Sequence, residues 1–391
     1  MKIMAVNAGS SSLKFQLLEM PSEDVIASGL VERIGYGNAR FIIKYNGEKI
    51  EETKEILNHK IAVHLLIDSL LKHDIIKSLD EIKGVGHRVV QGGEIFKDSV
   101  VITDEVIEKV RGLIDLAPLH NPANITGIEA FRKDLPNVPQ IAVFDTTFHQ
   151  TMAEDAFLYA TPYEWYKKYG VRKYGFHGTS HQFVSERAAV ILDNPKAKIV
   201  ICHLGNGASL CAVDSGKSVD TSMGLTPLEG IPMGTRSGNI DPSVLMLIAD
   251  KENKSFAEAL DDLNKRSGAL GVSGISNDSR DIIKGMKEGN HRAQLAFDIQ
   301  MKRIADYIGS YYVYMGGLDA IIFTAGIGEN ESLVRKSILD AVKVLGTEVD
   351  DEANKVRGQE ALITTKNSKI KGYIIPTNEE VMIAREVMRL K

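Results

Sequence analysis

The chain has 391 residues, of which 43% are apolar and 25% charged, with a net charge of −5 and two cysteines. That balance suits a globular protein of two or more domains and excludes a broad basic surface for nucleic acid or anionic membrane, so an anionic ligand must be captured by local positive groups. Cys202 and Cys211 exclude a disulfide framework; with no run of membrane length and no signal-peptide layout, the expected location is a reducing cytoplasm without a membrane partner.

The first element is a hairpin. An apolar run, Ile3–Val6, leads through Asn7, Gly9, Ser10, Ser11 and Ser12 into a second run with Lys14 and Phe15. The pattern returns at Ile199–Cys202, with His203, Leu204, Gly205, Asn206 and Gly207 before Ser209 and Leu210. Each copy reads as strand, tight turn, strand. Gly and Ser at such turns let ligand oxygens approach backbone N–H groups and hydroxyls. The repeat predicts two related halves, each offering a phosphate-sized cradle, with a cleft between them.

Between Glu19 and Gly47, short alternating runs predict further strands. Glu55–His73 has apolar residues at helical spacing, with His59, His64 and His73 read as solvated or core-edge residues. Ile82–Val90 is a strand carrying Gly86, His87, Arg88 and Val89. An arginine in such a strand is expensive to bury without an anion, which is either a ligand or a local carboxylate. A turn through Leu119 opens a helix over Ala123–Phe131. Gln140–Phe144 is a buried strand with Asp145 at its carboxyl end, either catalytic or a helix cap. The first domain is expected to end near here.

The stretch from Tyr159 ends in Gly175, Phe176, His177, Gly178, Thr179, Ser180 and His181. Thr179 and Gln182 have capping-box spacing, which places a helix start there. His177 and His181 are four apart, but Gly178 intervenes and no third ligand cluster is visible, so a zinc pair is disfavoured. After the second hairpin, residues 220–242 form a long Gly- and Pro-rich loop containing Pro227 and Arg236; loops of this length are usually functional. Helices are expected over Pro242–Asp250, Phe256–Asn264 and Arg292–Met315, the last with Leu295, Ile299, Ile304 and Ile308 on its apolar face. A small-residue loop over Gly268–Ser279 separates them and ends at Asp278, Ser279 and Arg280. Leu318–Phe323 is a strand, followed by Gly326, Ile327, Gly328, Glu329 and Asn330 and a helix through Val344. Strand, glycine turn and helix N-terminus suit a nucleotide phosphate. Ile370–Ile375 is the last strand and Val381–Leu390 the last helix. Glu380, at capping-box spacing from Thr377, is read as structural, which leaves Glu379 free to face a metal. No P-loop, dinucleotide fingerprint or nucleophile elbow is present.

Val6–Phe15, Gly86–Val90, Gly175–His181, His203–Ser209 and Gly326–Asn330 together span nearly the whole chain. They closely resemble the acetate kinases, within the sugar kinase, Hsp70 and actin superfamily. The resemblance implies an α/β fold of duplicated actin-like (ribonuclease H-like) βββαβαβα domains around a nucleotide cleft. The expected domains are 1–147, joined by the C-terminal helix 381–391, and a nucleotide-binding domain over 148–380. It implies reversible, Mg²⁺-dependent, direct in-line transfer of the ATP γ-phosphoryl group to acetate, giving acetyl phosphate and ADP, with Mn²⁺ able to substitute, in a homodimer.

On the matching positions, Asn7 and Glu379 anchor the metal. Ser10, Ser12 and Lys14 approach the phosphates, and Arg88 and Arg236 grip the carboxylate or acetyl phosphate. Asp145 has a positioning or metal-field role, because acetate is already ionised. His177 stabilises the transferring phosphoryl group, with Arg236 assisting. His203, Leu204, Gly205, Asn206, Gly207, Asp278, Ser279, Arg280, Gly326, Ile327, Gly328, Glu329 and Asn330 hold the nucleotide. Val90, Leu119, Phe176 and Pro227 form the methyl pocket. Ser279 stands where relatives often carry a bulkier apolar residue near the adenine. The rival readings are a propionate or butyrate kinase of the same family and a non-catalytic nucleotide-gated module.

Overall fold

A computed structural model describes all residues, Met1–Lys391. The chain divides into two compact units, Met1–Thr147 with Asn378–Lys391, and Phe148–Thr377. The division falls at 377/378 rather than 380/381, so Glu379 and Glu380 belong with the first unit.

The first unit is built on an eight-stranded sheet. In chain order its strands are β1 (Lys2–Ala8), β2 (Ser12–Glu19), β3 (Asp24–Glu32), β4 (Ala39–Tyr45), β5 (Glu48–Lys54), β6 (Ile82–Val89), β7 (Val100–Val101) and β8 (Gln140–Phe144). Their order across the sheet is β5-β4-β3-β2-β1-β6-β8-β7. The second unit has β9 (Lys198–Leu204), β10 (Ala208–Asp214), β11 (Lys217–Thr221), β12 (Ala320–Thr324), β13 (Ala361–Leu362) and β14 (Lys371–Ile374), ordered β11-β10-β9-β12-β14-β13.

The two sheets repeat one strand pattern. β3-β2-β1 and β11-β10-β9 are antiparallel meanders, and each is followed by two parallel strands, β6-β8 and β12-β14. The hairpin repeat is therefore the visible edge of a duplicated sheet. β8 and β12 are buried at every residue, because helices cover both faces of a parallel sheet. On one face of the first sheet, Met4, Val6, Phe15 and Phe41 pack with Leu66 and Leu70 of the helix His59–Lys72. On the other lies the final helix, Glu379–Leu390. Gly84 and Gly86 of β6 admit it: a Cβ at either would lie 2.4 Å from Val387 or 2.3 Å from Ile383.

Several local expectations are corrected. The helix after His177 starts at Gly178, and its cap is His177 in left-handed conformation (φ 56°), not Thr179. The last helix is capped by Asn378, whose side chain accepts from the Val381 N–H; Glu380 instead pairs with Lys14. Gly268–Ser273 is a short helix rather than loop. In the helix His291–Met315, Leu295 is exposed; Ala296, Phe297, Met301, Ile304 and Ile308 form the buried face. The helix after β12 is broken: Ala325–Asn330 ends at Glu331, a second helix spans Ser332–Ala341, and Val344 lies in a separate short turn. His59 is buried, and its Nε2 sits 2.7 Å from the Gly9 carbonyl, to which it donates.

Candidate active site

In the first unit, charged groups gather where β1, β6 and β8 end and the last helix begins. Arg88 is the penultimate residue of β6, and Asp145 follows β8 with its N–H bonded to the Val89 carbonyl at 3.0 Å. Arg88 donates from Nε and Nη2 to the two Asp145 oxygens at 2.8 and 2.7 Å, and Nη1 lies 4.0 Å from Glu379. The local carboxylate is therefore Asp145. The pair occupies one edge of the guanidinium and leaves the Nη1–Nη2 edge for a second anion. Burial works against the Arg88 charge, but Asp145 and Glu379 outweigh it and hold the group firmly protonated. Glu379 is pushed above the usual carboxylate range, first by burial and then by Asp145 and Glu380, against the pull of Arg88.

Sequence reasoning missed two asparagines that set this geometry. Asn124 donates to the Ala8 carbonyl at 2.8 Å and accepts from the Val90 N–H at 3.1 Å, tying the end of β1 to the end of β6. Asn121 accepts the Gln91 N–H and donates back to the Gln91 carbonyl, at 3.2 and 3.1 Å. Polar residues buried on an otherwise apolar helix face are the signal that could have exposed them. In the first hairpin, the Gly9 N–H bonds to the Ser12 carbonyl at 2.9 Å; Ser10 is exposed, and Asn7 pairs across from Lys14. Val90 is buried and Leu119 is 63% exposed.

In the second unit, the turn after β9 and the long loop 222–242 come together. The loop is pinned by Gly234 N–H to the Asn206 carbonyl at 2.9 Å and by buried Met223, Ile231 and Met233. Arg236 is half buried and makes no salt bridge. Its protein acceptors are weak, the Pro227 carbonyl at 3.4 Å and the Met233 sulfur at 3.8 Å, and burial pulls its pKa down. The position a Cβ would take at Gly207 lies 3.4 Å from Arg236 Nη1 and 3.8 Å from His177 Nε2. An uncompensated guanidinium and an imidazole thus converge on the space beside Gly207, which suits a phosphoryl oxygen.

Four histidines lie around this point. His177 and His203 stack with centroids 4.1 Å apart. His177 Nδ1 and His181 Nε2 both bond Ser209 Oγ, at 2.9 and 2.8 Å, and His203 Nδ1 bonds Ser180 Oγ at 2.8 Å. His149 bonds the Phe176 carbonyl through Nε2 and Ser218 Oγ through Nδ1. Phe176 itself is fully buried, and Pro227 is half buried.

Gly205, Asn206, Asp278, Ser279, Arg280, Gly326, Ile327 and Asn330 line one open groove with Arg357, which sequence reasoning missed. A narrow neighbouring slot shares Ser279 and Ile327 with it and adds Ile282, Ile283, Ala296 and Phe297. Asp278 caps the helix Ser279–Lys287 and is paired with Arg280, which holds its carboxyl near 2. Glu329 faces inward: its carboxylate accepts the N–H groups of Ala325 and Thr377 at 2.8 and 3.1 Å. Ala325 itself stands at φ 64°, a strained value for a residue with a Cβ. Leu204 is buried in β9, and Gly328 gives its carbonyl to Arg335 at 3.0 Å.

The acetokinase family model matches residues 2–385. An acetate kinase of Acholeplasma laidlawii (strain PG-8A) is 63% identical over 392 aligned residues, covering all of both chains. Among solved structures, Porphyromonas gingivalis acetate kinase matches with a TM-score of 0.95 at 46% identity, over 100% of this chain and 99% of that one. A propionate kinase from Francisella tularensis matches with a TM-score of 0.95 at 45% identity, over the whole of both chains. Matches of this extent leave no segment of the fold unaccounted for, and the chain belongs to the acetokinase family.

Proposed function

We propose that this chain transfers the γ-phosphoryl group of ATP reversibly to acetate, forming acetyl phosphate and ADP. One observation carries the site assignment. Arg236 is a half-buried cation with no counter-ion, and it converges with His177 Nε2 on the space beside Gly207. Phosphoryl transfer depends on alignment and on neutralising the equatorial oxygens rather than on covalent help from the protein. Arg236 and His177 supply that neutralisation.

The free Nη1–Nη2 edge of Arg88 would hold the acetate carboxylate, with Asp145 fixing the guanidinium. A carboxylate oxygen then attacks the γ-phosphorus, the bond to the β–γ bridging oxygen breaks, and its electron pair leaves with ADP. Acetate is already ionised at neutral pH, so Asp145 has no proton to remove. Val90, Leu119, Phe176 and Pro227 are proposed to bound the methyl group. Of these, Phe176 is fully buried.

The groove from Asn206 to Arg357 suits the phosphates and ribose. The apolar lining of Ile282, Ile283, Ala296 and Phe297 in the adjoining slot is the proposed seat of the adenine ring. Mg²⁺ fits the first unit. With Glu379 ionised, Asp145, Glu379 and Glu380 would exceed Arg88 and Lys14 by one charge, and without a further cation burial holds the Glu379 pKa up. Glu379 and Asn7 would hold the ion, one or two protein ligands being usual when phosphates supply the rest. The bound ion would neutralise the β- and γ-phosphate oxygens.

The structural match to a propionate kinase keeps a longer acid in view. Trapping the acyl phosphate as its hydroxamate, with acetate, propionate and butyrate in parallel, tests the reading. Acetate should give the highest kcat/KM, and no acyl phosphate from any of the acids would refute it.

A further inference from the structure

Ser209 is fully buried on β10, directly across from His203 of β9. Its single hydroxyl lies within hydrogen-bond distance of two ring nitrogens, His177 Nδ1 at 2.9 Å and His181 Nε2 at 2.8 Å. The two rings are the only partners of this hydroxyl, so its one proton goes to one of them and it accepts from the other. His181 decides the direction. Its Nδ1 is buried with no hydrogen-bond partner. Burial, together with His149 and His203, holds its pKa well below the usual histidine value, so the ring is neutral. A neutral ring with one unpartnered nitrogen puts the bare lone pair there, because orphaned buried N–H groups are rare. The His181 proton then sits on Nε2 and is donated to Ser209 Oγ.

The rest of the chain follows. Ser209 has accepted from His181, so its own O–H points at His177 Nδ1. That nitrogen is the acceptor, and the His177 proton is on Nε2. Nε2 is the atom that stands 3.8 Å from the Cβ position at Gly207, beside Arg236 Nη1. The left-handed backbone at His177 and the i to i+4 spacing of the two histidines bring both rings onto one hydroxyl.

We propose that Ser209 is a positioning residue: oriented by His181, it holds His177 as the Nε2–H tautomer, so that a neutral imidazole presents an N–H donor to the transferring phosphoryl group. The opposite tautomer would turn a lone pair toward phosphate oxygens and repel them. The role of His177 rests on the reading above; its tautomer does not, and the two are tested apart.

The tautomer is read directly by long-range ¹H–¹⁵N correlation on the full chain with ¹⁵N-labelled histidine, His177→Asn assigning the ring. Wild type should show His177 protonated at Nε2. Ser209→Ala should abolish that preference and lower kcat on the order of 10²-fold, as expected for loss of one transition-state donor, with the KM values for ATP and acetate little changed. Ser209→Thr, which keeps the hydroxyl, should restore both; if Thr does not fold, His181→Gln, whose amide N–H can still donate to Ser209, should keep the tautomer. A His177 ring protonated at Nδ1 in wild type, or an unchanged tautomer in Ser209→Ala, overturns the proposal whatever the substrate. Correct tautomers without phosphoryl transfer would instead refute the functional reading.

Discussion

Arg88 and Asp145 form a two-point pair, at 2.8 and 2.7 Å, in which the carboxylate is almost wholly buried and the guanidinium keeps one edge free. Arg236 has no such partner. The two arginines therefore differ in what their removal does. Arg88→Ala strands a buried carboxylate and should lower stability by about 3–5 kcal/mol, along with a severe loss of kcat. Arg236→Ala removes an uncompensated cation and should leave the melting temperature near or above wild type while kcat falls on the order of 10²–10³-fold. Calorimetry and steady-state kinetics on both variants check the contrast. Equal stability losses would contradict it.

Glu379 should show a stability–activity trade. Its folded pKa is raised above the unfolded value, so below the ordinary carboxylate range it carries no penalty, and stability is lost as pH rises through that range toward the folded value. Glu379→Gln removes the penalty and should raise the melting temperature at neutral pH while leaving it unchanged at pH 4. The same variant should raise the Mg²⁺ concentration needed for half-maximal turnover. A lower melting temperature at pH 7 would contradict this account.

Ser279 borders both the open groove and the apolar slot. Ser279→Ile should enlarge the apolar lining and raise the ATP-to-GTP ratio of kcat/KM by about tenfold, within the range for small apolar changes in a binding pocket. The KM for acetate should not move. A constant ratio would place the base elsewhere.

Val90 closes the end of β6 and is buried. Val90→Ala should lower the KM for propionate more than that for acetate; parallel changes would remove Val90 from the acyl pocket.

Much of this was legible in the chain. Val6–Phe15 and His203–Leu210 announced the duplication because a strand–turn–strand repeat is local, and strand periodicity survives without tertiary information. Asp145 and Arg236 were visible as polar residues in places that demand a reason. Thr179 and Glu380 were misread because cap spacing is shared by many residues, whereas the cap is decided by backbone conformation: His177 enters the left-handed region, and Asn378 reaches the Val381 N–H first. Leu295 was put inside because periodicity locates a stripe without saying which neighbour covers it. The contacts of Asn121, Asn124, His59 and Ser209 are not legible in sequence, and His59 reads there as a solvated or core-edge residue, since each acts on an atom far away in sequence: Ala8, Gly9 and Gln91 carbonyls, or a histidine on another element.

The central claim is that a small carboxylic acid is phosphorylated by a triphosphate under fixed positive charge. Incubating the purified full chain with ATP, Mg²⁺ and acetate, and quantifying acetyl hydroxamate against ADP, measures it directly. The account predicts one acetyl phosphate per ADP in wild type and almost none in Arg236→Ala of unchanged melting temperature. ADP released without acetyl phosphate, or wild-type turnover in that variant, would contradict it.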